Sequence, residues 1–316
     1  MTESPRHGRE RTSIALAAVM ALGGPVTAAS QSLPAIEEIV VATPEPRYVA
    51  PTTRDRIGRI WAPVLINGRG PYRLVLDTGA TQPAVTQRVV DELGLPVRSV
   101  KVKLLGATGS AVVSAVDVDT LEFGDLQVER LRLPIVPDAF GGADGVLGGD
   151  ALKDKRIVIE FQDDRITIVR SKHKPAPSGY SVVPFSLDAR GGLRIRAKVG
   201  PVDVTALIDT GAQNTVGNLA LRQALIGQRN HPDDGETAVV GVTEHVQQAA
   251  RVRVPDIVVG RVVVHNAEIM FSDLRIFEHW GLQSKPALLI GMDVLGQLDT
   301  LVVDYGRREL QVRMRP

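Results

Sequence analysis

One short segment occurs twice in this chain of 316 residues, and it constrains the fold more than any other feature. Asp-Thr-Gly-Ala stands at residues 77–80 and again at residues 209–212, and each copy directly follows an apolar run. An acid at the end of a buried strand is energetically costly unless a partner or a reaction uses its charge. Because each half of the chain carries one copy, we expect a two-fold arrangement in which Asp77 and Asp209 meet.

The residue types around the two acids fit acid–base chemistry. Two carboxyl groups within hydrogen-bond reach cannot both ionise easily, so they share a proton. One can then act as general base on a water molecule while the other protonates a peptide carbonyl oxygen. Thr78 and Thr210 carry hydroxyls able to bond across to the opposite loop, and Gly79 and Gly211 permit a close approach to the carboxylates. The doubled motif therefore predicts peptide hydrolysis by the paired acids.

The two Asp-Thr-Gly-Ala segments resemble the active-site loops of retropepsin-like aspartic proteases of the pepsin superfamily, in the exported bacterial form with both loops on one chain. The resemblance covers roughly residues 60 to 315 and includes hydrophobic-hydrophobic-Gly elements at residues 146–148 and 289–291. In this family such an element packs beside the catalytic loop. The resemblance implies an all-β, two-lobed pepsin/retropepsin-like fold with an internal duplication and short helices, and a monomer sufficient for catalysis.

The first 29 residues have the layout of a secretory signal peptide. Three arginines precede an apolar run at residues 14–22, and small residues lead to an expected cleavage site after Ala28 or Ala29. The apolar run is too short for a comfortable membrane span. We expect a periplasmic or secreted protein with no stable membrane span after signal removal. An uncleaved membrane anchor is the alternative.

Charge and residue types argue against several other functions. Residues 1–29 hold three Arg and two Glu of the 37 basic and 36 acidic residues, so the remainder carries 34 of each. Nucleic acid is therefore not an expected partner. The chain has no cysteine and its six histidines lack ligand spacing, so neither a metal site nor a cofactor is predicted. A polypeptide substrate is the predicted partner.

Breaks in the apolar pattern divide the rest of the chain. Residues 30–56 form a Pro-rich leader that we interpret as a spacer, with a tether or a propeptide lying in the cleft as alternatives. An N-terminal lobe is predicted at residues 57–170, a linker at residues 171–181 and a C-terminal lobe at residues 182–316. Asn67-Gly68 predicts a tight hairpin turn before the first Asp-Thr-Gly-Ala segment.

A glycine-containing tip between two strands in each lobe predicts a hairpin over the cleft, which the family resemblance identifies as a flap. The predicted substrate-binding tip residues are Gly106, Ala107, Thr108, Gly241, Val242 and Thr243. An ordinary hairpin is the alternative. The first flap lacks the tyrosine found in pepsins, so its contacts with substrate must differ, and whether one flap or both close is an open question.

Together these features predict an aspartic endopeptidase that cleaves extended polypeptide segments, processing exported or periplasmic proteins. Three alternatives are a catalytically silent peptide-binding module of the same fold, an enzyme acting only on its own leader or on one partner, and acids that are merely structural caps. Both copies of Asp-Thr-Gly are intact, including the threonine, which argues against the first alternative. Duplicated identical loops rarely serve only as turns, which argues against the last.

Ala80 and Ala212 stand where pepsins usually carry Ser or Thr. Without that hydroxyl each charged carboxylate loses a hydrogen bond, so we expect the pair to titrate higher than in a pepsin, with an optimum closer to neutral pH.

Overall fold

The structure is a computed structural model, and part of the chain is described by it. The described residues are 14–15, 19–21, 47–51, 53–54, 59–123, 126–138, 141–188, 191–226, 236–243 and 245–315. The remainder of the predicted signal segment and leader lies outside the described residues.

Strands predominate in the first half of the chain. In order, its elements are β1 (Ile14–Ala15), β2 (Val19–Ala21), β3 (Arg47–Pro51), β4 (Thr53–Arg54), β5 (Ile60–Ile66), β6 (Arg69–Leu76), β7 (Ala84–Thr86), α1 (Gln87–Leu93), β8 (Val102–Leu105), β9 (Ser110–Val113), β10 (Ala115–Phe123), β11 (Leu126–Val136), β12 (Gly145–Leu147), α2 (Gly149–Leu152), β13 (Lys155–Glu160) and β14 (Arg165–Arg170).

The second half has a similar order of elements. They are β15 (Ser181–Pro184), β16 (Ser186–Leu187), β17 (Leu193–Val199), β18 (Val202–Ile208), β19 (Val216–Gly217), α3 (Leu219–Ile226), β20 (Glu236–Gly241), β21 (Val246–Arg253), β22 (Ile257–Val259), β23 (Val262–Val264), β24 (Glu268–Phe271), α4 (Arg275–His279), β25 (Ala287–Ile290), α5 (Met292–Leu295), β26 (Leu298–Asp304) and β27 (Glu309–Met314).

The alternation of apolar and charged residues explains the half-buried strands. In β17, Leu193, Ile195 and Val199 are buried, whereas Arg196 and Lys198 between them are exposed. Successive side chains of a strand point to opposite faces of the sheet, so this pattern places one face on the core and the other in solvent. The all-β class predicted from the sequence is confirmed.

The hairpin of β5 and β6 contains one irregularity that matters for the site. Its turn is at Asn67-Gly68, as predicted, with φ of 51° and 70°. Beyond the turn the register shifts between Val64 and Ile66, where Gly70 and Pro71 of β6 lie opposite a single residue of β5. Proline cannot donate to the ladder, so such a bulge is a natural place for it.

Two equivalent parallel strand pairings position the ends of β6 and β18. Strand β6 pairs in parallel with β12, and β18 pairs in parallel with β25. The same contact continues one residue further, where Asp77 N donates to Leu147 O over 3.1 Å and Asp209 N donates to Ile290 O over 3.0 Å. The hydrophobic-hydrophobic-Gly elements at residues 146–148 and 289–291 therefore pack beside the two Asp-Thr-Gly loops, as the family resemblance implied.

A six-stranded sheet joins the two lobes. Its order is β15-β27-β26-β13-β14-β3, so three strands of the second half lie beside three strands of the first, and the two groups meet where β26 pairs with β13. A largely buried ion pair between Arg156 and Asp304, with an N–O distance of 2.9 Å, crosses this sheet. Residues 47–51 of the predicted leader form its edge strand β3. The shared sheet fixes the orientation of one lobe relative to the other.

Within the described ranges no helix combines the length and the apolar composition needed to cross a bilayer.

Candidate active site

The two predicted acids meet at the interface of the lobes. Asp77 and Asp209 follow β6 and β18 directly, and their exposed fractions are 0% and 1%. Their carboxyl groups lie within hydrogen-bond reach of each other. Oδ1 of Asp77 accepts hydrogen bonds from the N–H groups of Gly79 and Ala80 at 2.8 and 2.9 Å. The second loop repeats this geometry at 2.9 and 2.9 Å with the next glycine and alanine.

The outer carboxyl oxygens, Oδ2 of each acid, take no part in the N–H bonds described above. Oδ2 of Asp77 and Oδ2 of Asp209 are buried, and neither receives a hydrogen bond from a donor group in the described part of the chain. Two ionised carboxylates contain no donor, so a bond between these oxygens requires one proton. The geometry therefore favours a pair that holds a single proton and presents two oxygens for further bonding.

Burial dominates the electrostatics of the pair. It raises the pKa of Asp77 to about 6, against the opposing effects of the N–H bonds from Ala80 and Gly79, the bond to Asp209 and the charge of Arg59. Burial raises the pKa of Asp209 well above its ordinary value, and the charge of Asp77 raises it further. Like charges this close disfavour a second ionisation, so the two groups titrate as a unit.

The predicted supporting threonines tie one loop to the other. Thr78 Oγ1 donates to Ile208 O over 2.7 Å, and Thr210 Oγ1 donates to Leu76 O over 2.7 Å. Each hydroxyl also accepts the backbone N–H of the opposite threonine, at distances of 3.1 and 3.2 Å. All four bonds are buried, so this reciprocal network holds the two acids in register across the lobe interface.

The predicted glycines lie against the opposite acid. A Cβ added at Gly79 would come within 2.7 Å of the Asp209 carboxyl group, and one added at Gly211 would collide with the Asp77 carboxyl group. Real Cβ atoms do not approach other heavy atoms this closely. Glycine is therefore required at both positions because a carboxyl group occupies the space of the side chain.

The two predicted flap tips touch each other. Thr108 Oγ1 accepts a hydrogen bond from Gly241 N over 3.1 Å. A Cβ added at Gly106 would lie 3.0 Å from Val242 and 3.1 Å from Thr243. Both hairpins are therefore closed against one another in this structure.

Each flap tip also crosses to the opposite lobe. Ala107 of the first flap belongs to the buried cluster that contains Ala212, beside the second acid. Val242 of the second flap belongs to the cluster that contains Ala80, beside the first acid. Each tip thus packs in the buried cluster that holds the alanine of the opposite lobe's Asp-Thr-Gly-Ala segment.

Two residues near Asp77 were not identified from the sequence. The charge of Arg59 lowers the pKa of Asp77, and burial together with the charge of Asp77 raises the pKa of Tyr305. Arg59 is only 1% exposed although it is charged. Its position opposite the first acid depends on the bulge at Gly70-Pro71, which no sequence pattern predicted.

A family model described as aspartyl protease matches the chain at residues 62–151 and 195–294, once around each Asp-Thr-Gly-Ala segment. The chain belongs to the aspartyl protease family. This confirms the family resemblance and the two-lobed fold predicted from the sequence. No curated protein sequence matches this aspartyl protease family member.

Solved structures with related architecture share little sequence with this aspartyl protease family member. Conglutin gamma, a basic 7S globulin from lupine seeds, aligns with 14% identity and a TM-score of 0.48, over 86% of this chain and 96% of its own. Basic 7S globulin from soybean aligns with 11% identity and a TM-score of 0.46, over 85% and 95%. A retropepsin-like aspartic protease from Rickettsia conorii aligns with 15% identity and a TM-score of 0.29, over 42% and 95%.

Within the described ranges, no group of three or more His, Asp or Glu side chains converges in a way that could hold a metal ion.

Proposed function

We propose that the chain is an aspartic endopeptidase that hydrolyses peptide bonds in extended polypeptide segments. The observation that carries this proposal is the buried pair of Asp77 and Asp209, whose outer oxygens have no other donor in the described part of the chain. Buried acids with strongly raised pKa values at a lobe interface are typical of catalytic sites. A purely structural role would leave the cost of burying them without compensation.

The pair can carry out hydrolysis without a covalent intermediate. A water molecule bound by the two outer oxygens loses a proton to the ionised acid and attacks the peptide carbonyl carbon. The protonated acid gives its proton to the carbonyl oxygen, which yields a tetrahedral diol. The acid that took the proton from water then gives it to the peptide nitrogen, and the other acid takes the proton of one diol hydroxyl. The C–N bond breaks, and the products are an amine and a carboxylic acid. Both acids end in their starting states.

Strand pairing on the flaps supports an extended substrate. The chain's own N-terminal segment adds a strand to each flap: β1 pairs in parallel with β8, and β2 pairs antiparallel with β20. A single extended peptide crossing a two-fold axis must run parallel to one flap and antiparallel to its equivalent. This is the strand-addition mode of peptide recognition, in which backbone hydrogen bonds give affinity and side-chain pockets give specificity.

We further propose that the enzyme works in the periplasm or outside the cell, processing exported proteins. The support is the charge and apolar pattern of residues 1–29, which is typical of a signal peptide. The required strand pairing selects accessible, extended segments of a substrate rather than folded domains.

A mixed peptide library tests the proposed activity. The full-length chain and a chain beginning near Ser30 are incubated with it between pH 4 and 8, beside Asp77→Asn and Asp209→Asn controls. We expect products that both controls lack. If no folded form cleaves any peptide but all bind peptides, the silent binding module is the correct function instead. If only the chain's own leader is cut, the enzyme is self-processing.

The alanines after the motif give a pH test. Ala80→Ser together with Ala212→Ser is expected to move the acid limb of the kcat/KM profile downward by about one pH unit, since a hydroxyl that bonds a carboxylate stabilises its charged form. The expected acceptors are the Oδ2 atoms of Asp77 and Asp209, which receive no hydrogen bond from a donor group in the described part of the chain. Ala84→Ser is the control, because it adds a hydroxyl elsewhere in the buried cluster that contains Ala80. An unmoved acid limb in the double variant would contradict the argument.

A further inference from the structure

The residues opposite the two acids differ between the lobes. In the first hairpin Trp61 pairs with Val75, and two further steps along this register place Arg59 opposite Asp77. In the second hairpin Arg194 pairs with Leu207, and the same two steps place Gly192 opposite Asp209. Directly opposed residues of an antiparallel pair project from the same face with their Cβ atoms about 5 Å apart. One acid therefore has a cation across the strand pair, and the other does not.

The surroundings of the two positions reinforce the difference. Arg59 is 1% exposed, so solvent screens its charge weakly and its field acts on the nearby buried carboxyl group. Beside Gly192, the side chains of Arg194 and Asp188 bind each other at 2.9 Å, and Asp188 also accepts the Gly192 N–H. The arginine nearest Gly192 is thus held by Asp188.

We propose that Arg59 is a positioning residue that makes Asp77 the ionised acid, and so the general base, and leaves Asp209 as the proton donor. This inference rests on the proposed function, because it assigns roles within the same pair. Among the described residues, the charged and titratable groups facing Asp77 are Arg59 just before β5, Asp209 of the opposite loop and Tyr305 just after β26. Tyr305 stays neutral across the working range because its pKa is raised, so Arg59 supplies the positive charge in this set.

Single Asn variants of the full-length chain test the assignment without any need for activity. In Asp209→Asn only Asp77 of the pair titrates, and in Asp77→Asn only Asp209 titrates. Carboxyl-¹³C NMR of aspartate-labelled protein then follows each acid with pH. We expect the pKa of Asp77 in the Asp209→Asn protein to be lower than the pKa of Asp209 in the Asp77→Asn protein. Equal pKa values, or a lower one for Asp209, would overturn the proposal.

Removal of the arginine charge tests the cause. In the Asp209→Asn background, Arg59→Met is expected to raise the pKa of Asp77 by about one pH unit or more, whereas Arg59→Lys should keep it near its starting value. Arg73→Met is the matched control, because Arg73 is a cation on the same hairpin that stacks on Trp61 at 4.7 Å, four residues before the acid. An unchanged pKa in the Arg59→Met protein would overturn the proposal.

The same variants in the active chain separate this inference from the proposed function. With both acids present, Arg59→Met should move the acid limb of kcat/KM upward by a similar amount, and Arg59→Lys should restore it. A structural role alone would lower activity at every pH without moving the limb. If the chain cleaves no peptide, the proposed function fails, yet the two NMR titrations still decide whether Arg59 biases the pair.

Discussion

Asp77→Asn is expected to lower kcat/KM for peptide cleavage by about 10³-fold or more, and Asp209→Asn to lower it equally, because general acid and base groups of this kind contribute 10²- to 10⁴-fold. An amide can neither take a proton from water nor donate one to the carbonyl oxygen. In the proposed mechanism the two acids work on one water molecule, so loss of either removes the function of both, and the double variant should be little worse than each single variant. Single and double variants are compared by product formation under the same conditions.

Stability measurements show whether such losses are chemical. Asparagine keeps the shape of aspartate, and its Oδ1 can still accept the N–H bonds from Gly79 and Ala80. Burial raises the pKa of Asp77 from 3.8 to about 6, so the stability gained from its neutral form is present below pH 3.8 and is lost as the pH rises through 6. At pH 7.5 the Asn variants should therefore unfold at a temperature no lower than the unmodified chain, an advantage that disappears at pH 4.

Retention of activity by one Asn variant would argue against the shared pair. If Asp209→Asn stayed within about tenfold of the unmodified chain while Asp77→Asn lost activity, one acid alone would carry the reaction. A variant that fails to unfold cooperatively would be compared only by its peptide binding.

Thr78→Val is expected to reduce the free energy of unfolding by about 2–5 kcal/mol, because it leaves a buried N–H and a buried C=O without their partner. The lost hydroxyl donates to Ile208 O and accepts from Thr210 N. Valine has nearly the same shape, so the loss reports the hydrogen bonds rather than a cavity. Urea unfolding of the full-length chain measures it.

Thr78→Ser is the control, since it keeps the hydroxyl and removes one methyl group. We expect it to retain most of the stability that Thr78→Val loses. Thr210→Val should behave as Thr78→Val does, because the Thr210 hydroxyl makes the equivalent bonds to the opposite loop. In the double Val variant the losses should not add, as both changes break one network. A Thr78→Val protein as stable as the Ser variant would contradict a bracing role.

Local sequence signals predicted the elements that depend on neighbouring residues. Apolar runs ending in Asp-Thr-Gly-Ala predicted two strands that end at an acid, and Asn67-Gly68 predicted the turn, since a tight hairpin needs positive φ at both positions. The recurrence of the motif predicted that Asp77 and Asp209 would meet. The motif also predicted that Gly79 and Gly211 permit a close approach to a carboxylate, and the structure shows that it is the carboxyl group of the opposite loop.

Contacts between distant parts of the chain were not predictable in this way. The closure of both flaps depends on Gly241 meeting Thr108, 133 residues away along the chain, and no local pattern specifies such a pair. The sheet that joins the lobes pairs a strand of one half with a strand of the other and includes residues 47–51, which lie in a proline-rich segment whose lack of periodicity gave no indication of a strand.

By itself, the sequence determined the pair of acids, the loops that carry them and the duplicated order of strands, because each of these is encoded within a few neighbouring residues. Only the tertiary structure decided which charge faces which acid. Without the bulge at Gly70-Pro71, the two-residue turn would set Arg59 opposite Leu76; the one-residue shift sets it opposite Asp77 instead. A shift of one residue turns every side chain of a strand to the other face, and here it brings a cation to one acid of a symmetric pair.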